Sequence, residues 1–376
     1  MQKNRHIVTQ KKPDRIPETL KALLLWYENH ERDVPWRRKD GQKPDPYAVW
    51  LSEIMCQQTT VQAVKPYYHK FLARWPTVEA LAQAPEQDIL EAWAGLGYYA
   101  RARNLHKCAQ VISLEHGGVF PEDQKSLKAL PGIGAYTSAA LSAIAFGHPA
   151  TVVDGNVERV LSRFFAVETP LPESRKHLRA LADDFFKPAP HCAGDIAQAL
   201  MDLGADICIA GKTPRCAACP LRKGCKGLQA GIAQTLPRKN RKKSRPQKYG
   251  HVYWITAPSG QVLFCKRPDK GLFAGMTGLP TTAWLETPSA LTHLPFLQGM
   301  NTPSLEKKVS HTFTHFDLEL SLYERTLSTP CVPDESYYWE EAETAYQGLP
   351  SLFKKATALF RQASFPYNEK KTRYSK

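Results

Sequence analysis

The sequence predicts a two-domain protein, an all-α domain followed by an α+β domain. Three observations carry this. Apolar residues up to about residue 236 recur at helical spacing, a basic proline-bearing segment follows at 237–248, and past residue 249 the apolar period changes to two. A chain of 376 residues has room for two ordinary domains. At 43% hydrophobic and 23% charged, the composition is that of a packed protein rather than a disordered one.

Taken in order, the start MQKNRHIVTQKKPDR is charged and lacks an apolar core, which excludes a secretory signal. Leu20, Leu23, Leu24 and Tyr27 predict a first helix. Asp45-Pro46 predicts an N-cap with proline at the first helical position, opening DPYAVWLSEIMCQQTT. Breaks at Pro76, Pro85, Gly95–Gly97, Gly117–Gly118 and Pro131 separate further helices. Val157, Val160, Leu161, Phe164 and Phe165 repeat at helical spacing. The segment PRKNRKKSRPQK, with seven basic residues, predicts an exposed linker. HVYWITAPSGQVLFCKRP then reads as strand, turn, strand. Phe316, Leu318, Leu320 and Leu322 alternate with polar neighbours as a further strand. A helix carrying Leu352, Phe353, Ala356, Leu359 and Phe360 packs on the sheet, and a polar, basic tail runs from Pro366.

The formal net charge of +14 points to a polyanionic partner: DNA, RNA or an acidic membrane surface. No run of about 18 apolar residues predicts a membrane span. A reducing, cytoplasmic setting follows, nucleoid-associated if the source is bacterial, so the nine cysteines are read as metal ligands or free thiols. Cys56, Cys108, Cys192, Cys265 and Cys331 are scattered and read as packing residues. Cys208, Cys216, Cys219 and Cys225 are clustered, with seven, two and five residues between them. Four thiolates this close wrap one tetrahedral metal or a cubane cluster; a zinc knuckle is the alternative. Basic residues flank them at Lys212, Arg215, Arg222, Lys223 and Lys226.

Residues 130–156, LPGIGAYTSAALSAIAFGHPATVVDGN, carry the densest signal. Gly132 and Gly134 permit close backbone approach, and successive N–H groups ahead of a helix N-terminus make an anion site. Phosphate is its natural occupant. Asp154 follows Gly134 by twenty residues, where it could face the sugar of the strand so held.

The hairpin, the downstream aspartate and the cysteine loop together resemble the helix-hairpin-helix DNA glycosylase superfamily, in its iron–sulfur branch with endonuclease III and MutY. The resemblance implies a [4Fe–4S] cluster on Cys208, Cys216, Cys219 and Cys225, although the family's usual first gap is six residues rather than seven. It implies an all-α helix-hairpin-helix glycosylase domain over 1–236, with its cluster loop at 208–225, and a linker at 237–248. It further implies an α+β Nudix-like lesion-recognition domain over 249–365, with KRPDKGLFAGMTGLP at 266–280 in its strand-and-turn region. A flexible tail occupies 366–376. Glu286 and Glu306 are the only acids in residues 281–310, so the acidic helix of an active Nudix hydrolase is missing.

Hydrolysis of a base–deoxyribose bond needs a proton for the departing base and a negative partner for the sugar cation, the two-carboxylate logic of glycoside hydrolysis. The resemblance makes Glu53 the proton donor. Its neighbours Trp50, Leu51, Ile54 and Met55 are apolar, which would raise its pKa. Asp154 aligns with the family's essential aspartate, stabilising the sugar cation or bonding to it transiently, with Asn156 orienting it. Tyr136 stands where bifunctional relatives carry a lysine that forms a Schiff base, so base removal without efficient lyase activity is expected. A tyrosine hydroxyl can hydrogen-bond the aspartate or a phosphate, but it forms no imine.

The target base must leave the stack. Gln57-Gln58-Thr59 and Gly95-Leu96-Gly97-Tyr98-Tyr99 match the family's two probing segments, with Gln58 and Tyr98 as wedge and Leu96 nearby. Phe313-Thr314-His315 matches the lesion-sensing loop, which usually reads Phe-Ser-His. The resemblance therefore points to a monomeric MutY-type adenine glycosylase acting on duplex DNA containing A:8-oxoguanine or A:G mispairs. The rivals are a related glycosylase for another base and a non-catalytic iron–sulfur DNA-binding protein.

Overall fold

The computed structural model describes residues 17–37, 43–211, 213–240, 244–290, 292–346 and 348–364. Lys212 and the tail expected from Pro366 lie outside them. The chain divides into two units, Met1–Gln83 with Asn104–Arg241, and Ala84–Arg103 with Lys242–Lys376. The division near 241 falls inside the segment read as a linker, while Ala84–Arg103 groups with the later residues.

Helices dominate up to Gln229: α1 (Glu18–His30), α2 (Pro46–Cys56), α3 (Val61–Arg74), α4 (Val78–Gln83), α5 (Glu86–Ala92), α6 (Ala100–Glu115), α7 (Gln124–Ala129), α8 (Ala135–Ala140), α9 (Gly155–Phe164), α10 (Arg175–Phe186), α11 (Ala193–Asp206) and α12 (Lys226–Gln229). The sequence cues act as expected. Asp45 caps α2 by accepting from the Tyr47 N–H at 3.1 Å, with Pro46 at the first helical position. α8 passes into a π-helical turn at Leu141–Ala145. Leu20, Leu23, Val157, Val160, Leu161, Leu178, Ile196, Leu200 and Leu203 share one core with the small residues of α8. Glycines let the layers touch. A Cβ on Gly204 would stand 2.7 Å from the Asn156 Cβ, and one on Gly227 would stand 2.4 Å from the Arg163 carbonyl oxygen.

The linker reading needs correction at both ends. The Leu171 N–H donates to the Arg238 carbonyl at 2.8 Å, Arg238 pairs with Glu168, and Asn240 bonds Glu173, so 237–240 is fastened to the helical unit. Gln247 and Lys248 already belong to a strand. Backbone hydrogen bonding has claimed residues whose charge alone reads as tether.

In the second unit the sheet runs β3-β2-β1-β5-β4, with β6 also paired to β2. The strands are β1 (Gln247–Thr256), β2 (Val262–Lys266), β3 (Thr277–Gly278), β4 (Ser304–Thr312), β5 (Asp317–Thr326) and β6 (Tyr337–Glu340). β1 and β2 form the expected hairpin, whereas β1 pairs with β5 in parallel. α13 (Ala342–Tyr346) leads to α14 (Ser351–Ser364), whose Leu352, Phe353, Ala356 and Phe360 pack against Leu318, Leu320 and Leu322 of β5. No described helix is long and apolar enough to cross a membrane.

Candidate active site

Trp50, Leu51, Ile54 and Met55 of α2 are buried, which turns Glu53 and Gln57, one helical turn apart, toward a shared cavity. α8 presents Tyr136 to the same space, and its hydroxyl donates to Glu53 Oε2 at 2.6 Å. This partner is neither the aspartate nor a phosphate, because α8 lies against α2. Burial pushes the Glu53 carboxyl up to about 7; the Tyr136 hydrogen bond and the Arg37 charge oppose the shift, and the charge of Asp154 adds to it. Burial and the neighbouring Glu53 carry the Tyr136 phenol well above its ordinary value, so it remains a donor.

Asp154 is the N-cap of α9 and part of the cavity wall at once. Its Oδ1 accepts from the backbone N–H groups of Asn156 at 2.9 Å and Val157 at 2.7 Å, and its Oδ2 from Asn156 Nδ2 at 2.8 Å. Three donors fix this carboxylate. Asn156 Oδ1 in turn accepts from Arg159 Nη2 at 2.8 Å. Arg159 also donates to the carbonyls of Gly204 at 2.6 Å and Cys208 at 2.8 Å, so one guanidinium ties the aspartate's partner to the cysteine loop.

The cavity measures about 1400 Å³, larger than most small-molecule pockets. Gln57, Gln58, Thr59, Gly132 and Gly134 line it with the two carboxylates, Tyr136 and Asn156. Gly132 has φ +74°, and a Cβ there would stand 2.7 Å from the Asn104 Cβ, so both dihedral and packing require glycine. At Gly134 a Cβ would meet nothing within 4 Å, leaving that backbone open to an approaching group. Gln57 is held by Thr137 at 3.3 Å, while Gln58 is exposed in the left-handed region at φ +57°.

In the second unit, Tyr98 is 48% exposed and also left-handed at φ +49°. Arg101 stacks on its ring at 5.7 Å and donates to the carbonyls of Leu96 and Gly97, stiffening that loop. Two wedge candidates thus share a strained backbone, which the surroundings must over-determine. Leu96 is buried and packs in the core rather than projecting outward.

Phe313-Thr314-His315 occupies the tip of the β4–β5 hairpin, closed by the Phe313 N–H donating to the Phe316 carbonyl at 2.9 Å. Phe313 stacks on Trp284 and packs on Phe316, which leaves Thr314 and His315 exposed on an aromatic base. Thr314 Oγ1 donates to the Tyr98 hydroxyl at 3.4 Å.

Cys208, Cys216, Cys219 and Cys225 all line one small cavity, together with Arg163, Ile207, Pro214 and Leu228. Among the described residues no carboxylate or imidazole lines it. Burial pushes the Cys219 thiol up to about 12 and raises Cys216 and Cys225 as well, so thiolates here need a compensating cation. Arg163 supplies one donor, to Cys208 Sγ at 3.2 Å. This donor set fits a thiolate-bound metal centre. Among the described residues no three His, Cys, Asp or Glu side chains are arranged to hold a single ion. Of the cysteines read as packing residues, Cys108 and Cys265 are buried; Cys331 is exposed and Cys56 lines the cavity shared by Glu53 and Asp154, which corrects that reading for both.

Several cavity residues escaped sequence reasoning: Arg32, Trp36, Arg37 and Gln198. The available signal was the charge-dense ERDVPWRR beside Asp202, a carboxylate inside the apolar run of α11 that demands a cationic partner.

Residues 51–188 match the HhH-GPD superfamily of base excision DNA repair proteins, and residues 251–359 match a NUDIX domain. The chain is 38% identical to the adenine DNA glycosylase of Buchnera aphidicola, over 80% of this chain and 84% of that protein. A solved thermostable thymine-DNA glycosylase superposes with a TM-score of 0.50 at 31% identity, covering 56% of this chain and 95% of that one. With 31% identity to the human adenine DNA glycosylase over 90% of this chain and 73% of that protein, the chain belongs to the adenine DNA glycosylase family.

Proposed function

We propose that this protein is a DNA N-glycosylase of base excision repair that hydrolyses the bond between deoxyribose and adenine mispaired with 8-oxoguanine or guanine. The observation that carries the reading is the pairing of unlike carboxylates in one cavity: Glu53 raised to about 7 by burial, and Asp154 held by three donors. Glu53 gives its proton to the adenine ring as the C1′–N bond breaks and the electron pair leaves with the base. Asp154 stabilises the cationic sugar, and Asn156 holds Asp154 in line. Water adds to C1′, and the Glu53 carboxylate takes the proton released.

Tyr136 orients Glu53 and has no amine to form an imine, so the enzyme is monofunctional; borohydride should trap no strong enzyme–DNA adduct. Gln58, Thr59 and Tyr98 serve the probing segments, and the backbone at Gly132 and Gly134 grips phosphate. Thr314, flanked by Phe313 and His315, reads the opposite base. Residues 1–236 form the catalytic domain and 249–365 the lesion-recognition domain. The cysteine-lined cavity supports a [4Fe–4S] cluster over one ion, since all four thiols surround a common space. An iron assay with cluster absorbance tests this, and zinc alone would overturn it. The protein acts as a monomer on duplex DNA in the cytoplasm or nucleoid.

The likeness to a thymine-DNA glycosylase makes another mismatched base the second reading. Single-turnover cleavage of A:8-oxoguanine, A:G, A:C and T:G duplexes separates the two. Free adenine from the first two supports the proposal, and thymine release without adenine release sinks it.

A further inference from the structure

Asp202 sits on α11 with its side chain completely buried, next to Leu200, Met201 and Leu203. A carboxylate in such surroundings is costly unless every lone pair is used. Here each oxygen accepts two donors. Oδ1 takes Arg32 Nε at 2.6 Å and Arg37 Nη2 at 2.8 Å, and Oδ2 takes the Arg32 backbone N–H at 3.0 Å and Arg37 Nη1 at 2.5 Å. Arg37 engages as a two-pronged fork, which fixes the guanidinium plane as well as its position. Its guanidinium also lies 5.5 Å from the centre of the Tyr27 ring.

The two arginines face the other way as well. Arg32 and Arg37 both line the active-site cavity, and Asp202 stands behind them, outside the lining. They belong to residues 31–37 just past α1, which form no helical ladder of their own. Two cations on that wall would favour an ionised Glu53, the state unable to protonate a base. One buried anion leaves a single net positive charge there. We propose that Asp202 is a positioning residue for base excision, holding Arg32 and Arg37 against the cavity wall and offsetting their charge beside Glu53. The inference rests on the reading of Glu53 as proton donor.

Glu53 on α2 faces Tyr136 from α8, Asp154 from the cap of α9, and Arg37. Arg37 faces Asp202 of α11, Tyr27 of α1 and Glu31 just beyond α1, and its charge also reaches Asp195 of α11. Asp202 meets both arginines through hydrogen bonds.

The test is the pH profile of single-turnover adenine release from an A:8-oxoguanine duplex, for wild type, Asp202→Asn, Asp202→Glu and Arg37→Gln, with melting temperatures alongside. With the anion gone, Asp202→Asn should lose its rate at a pH about one unit lower than wild type, with partial recovery in acid. Asp202→Glu should restore part of the wild-type profile. Arg37→Gln, which removes a cation, should move the same limb upward, and it keeps the idea testable if Asp202→Asn does not fold. A lower melting temperature with unshifted profiles in both variants would reduce Asp202 to a structural staple and overturn the proposal. So would a shift of Asp202→Asn toward higher pH. Wild type releasing no adenine would instead defeat the functional reading on which the inference rests.

Discussion

Glu53 and Asp154 are both carboxylates in one cavity, and their surroundings differ. Burial favours the neutral form of Glu53. Because the proton is lost as pH rises through about 7, single-turnover base release should decline above that pH. Glu53→Gln should lower the rate by about 10²–10⁴ below about pH 7 and abolish this decline, since an amide cannot supply the proton. The same shift has a sign for stability. A carboxyl whose folded pKa is raised stabilises the fold below its unfolded value, and that contribution is lost as pH rises through about 7. Glu53→Gln should therefore gain in melting temperature over wild type at pH 8 and not at pH 5. Asp154 behaves differently, because it also caps a helix. Asparagine caps nearly as well, so Asp154→Asn should change stability by less than about 0.5 kcal/mol while base release collapses. A large stability loss would mean the inactivity reports unfolding instead.

At the scale of elements, function depends on close approaches. α12, just past the cysteine loop, packs on α9 so tightly that a Cβ at Gly227 has no room beside the Arg163 carbonyl. Gly227→Ala should destabilise the protein by about 1–3 kcal/mol in chemical denaturation, because backbone rather than a mobile side chain must yield. The β4–β5 hairpin works the other way. Its aromatic base at Phe313, Phe316 and Trp284 is buried in part, while Thr314 is exposed at the tip. Thr314→Ala should leave the melting temperature unchanged and reduce the preference for 8-oxoguanine over guanine. Unchanged preference would remove Thr314 from lesion reading.

For the whole molecule, the charge of +14 bears on binding rather than on fold. Neutralising phosphates releases counterions, so a log–log plot of DNA affinity against salt should fall with a slope of about −0.9 per phosphate contacted. A flat plot would exclude the basic surface from DNA binding.

What the sequence determined by itself was local. Asp45-Pro46 opens α2, the apolar period sets each buried face, and the strand alternation at 318–322 survives intact in β5. The Gly132 turn and the cysteine spacing were also legible, because each depends on neighbours within a few residues. The tertiary structure decided the partnerships. It gave Tyr136 to Glu53, tied Asn156 through Arg159 to the Cys208 carbonyl, and joined Asp202 to arginines 165 and 170 positions away. It also pinned residues 237–240 and drew Leu96 into the core. The physical reason is common to all of these. Spacing along the chain specifies which face a side chain occupies, but a hydrogen bond or a shifted pKa depends on what another element brings to that face.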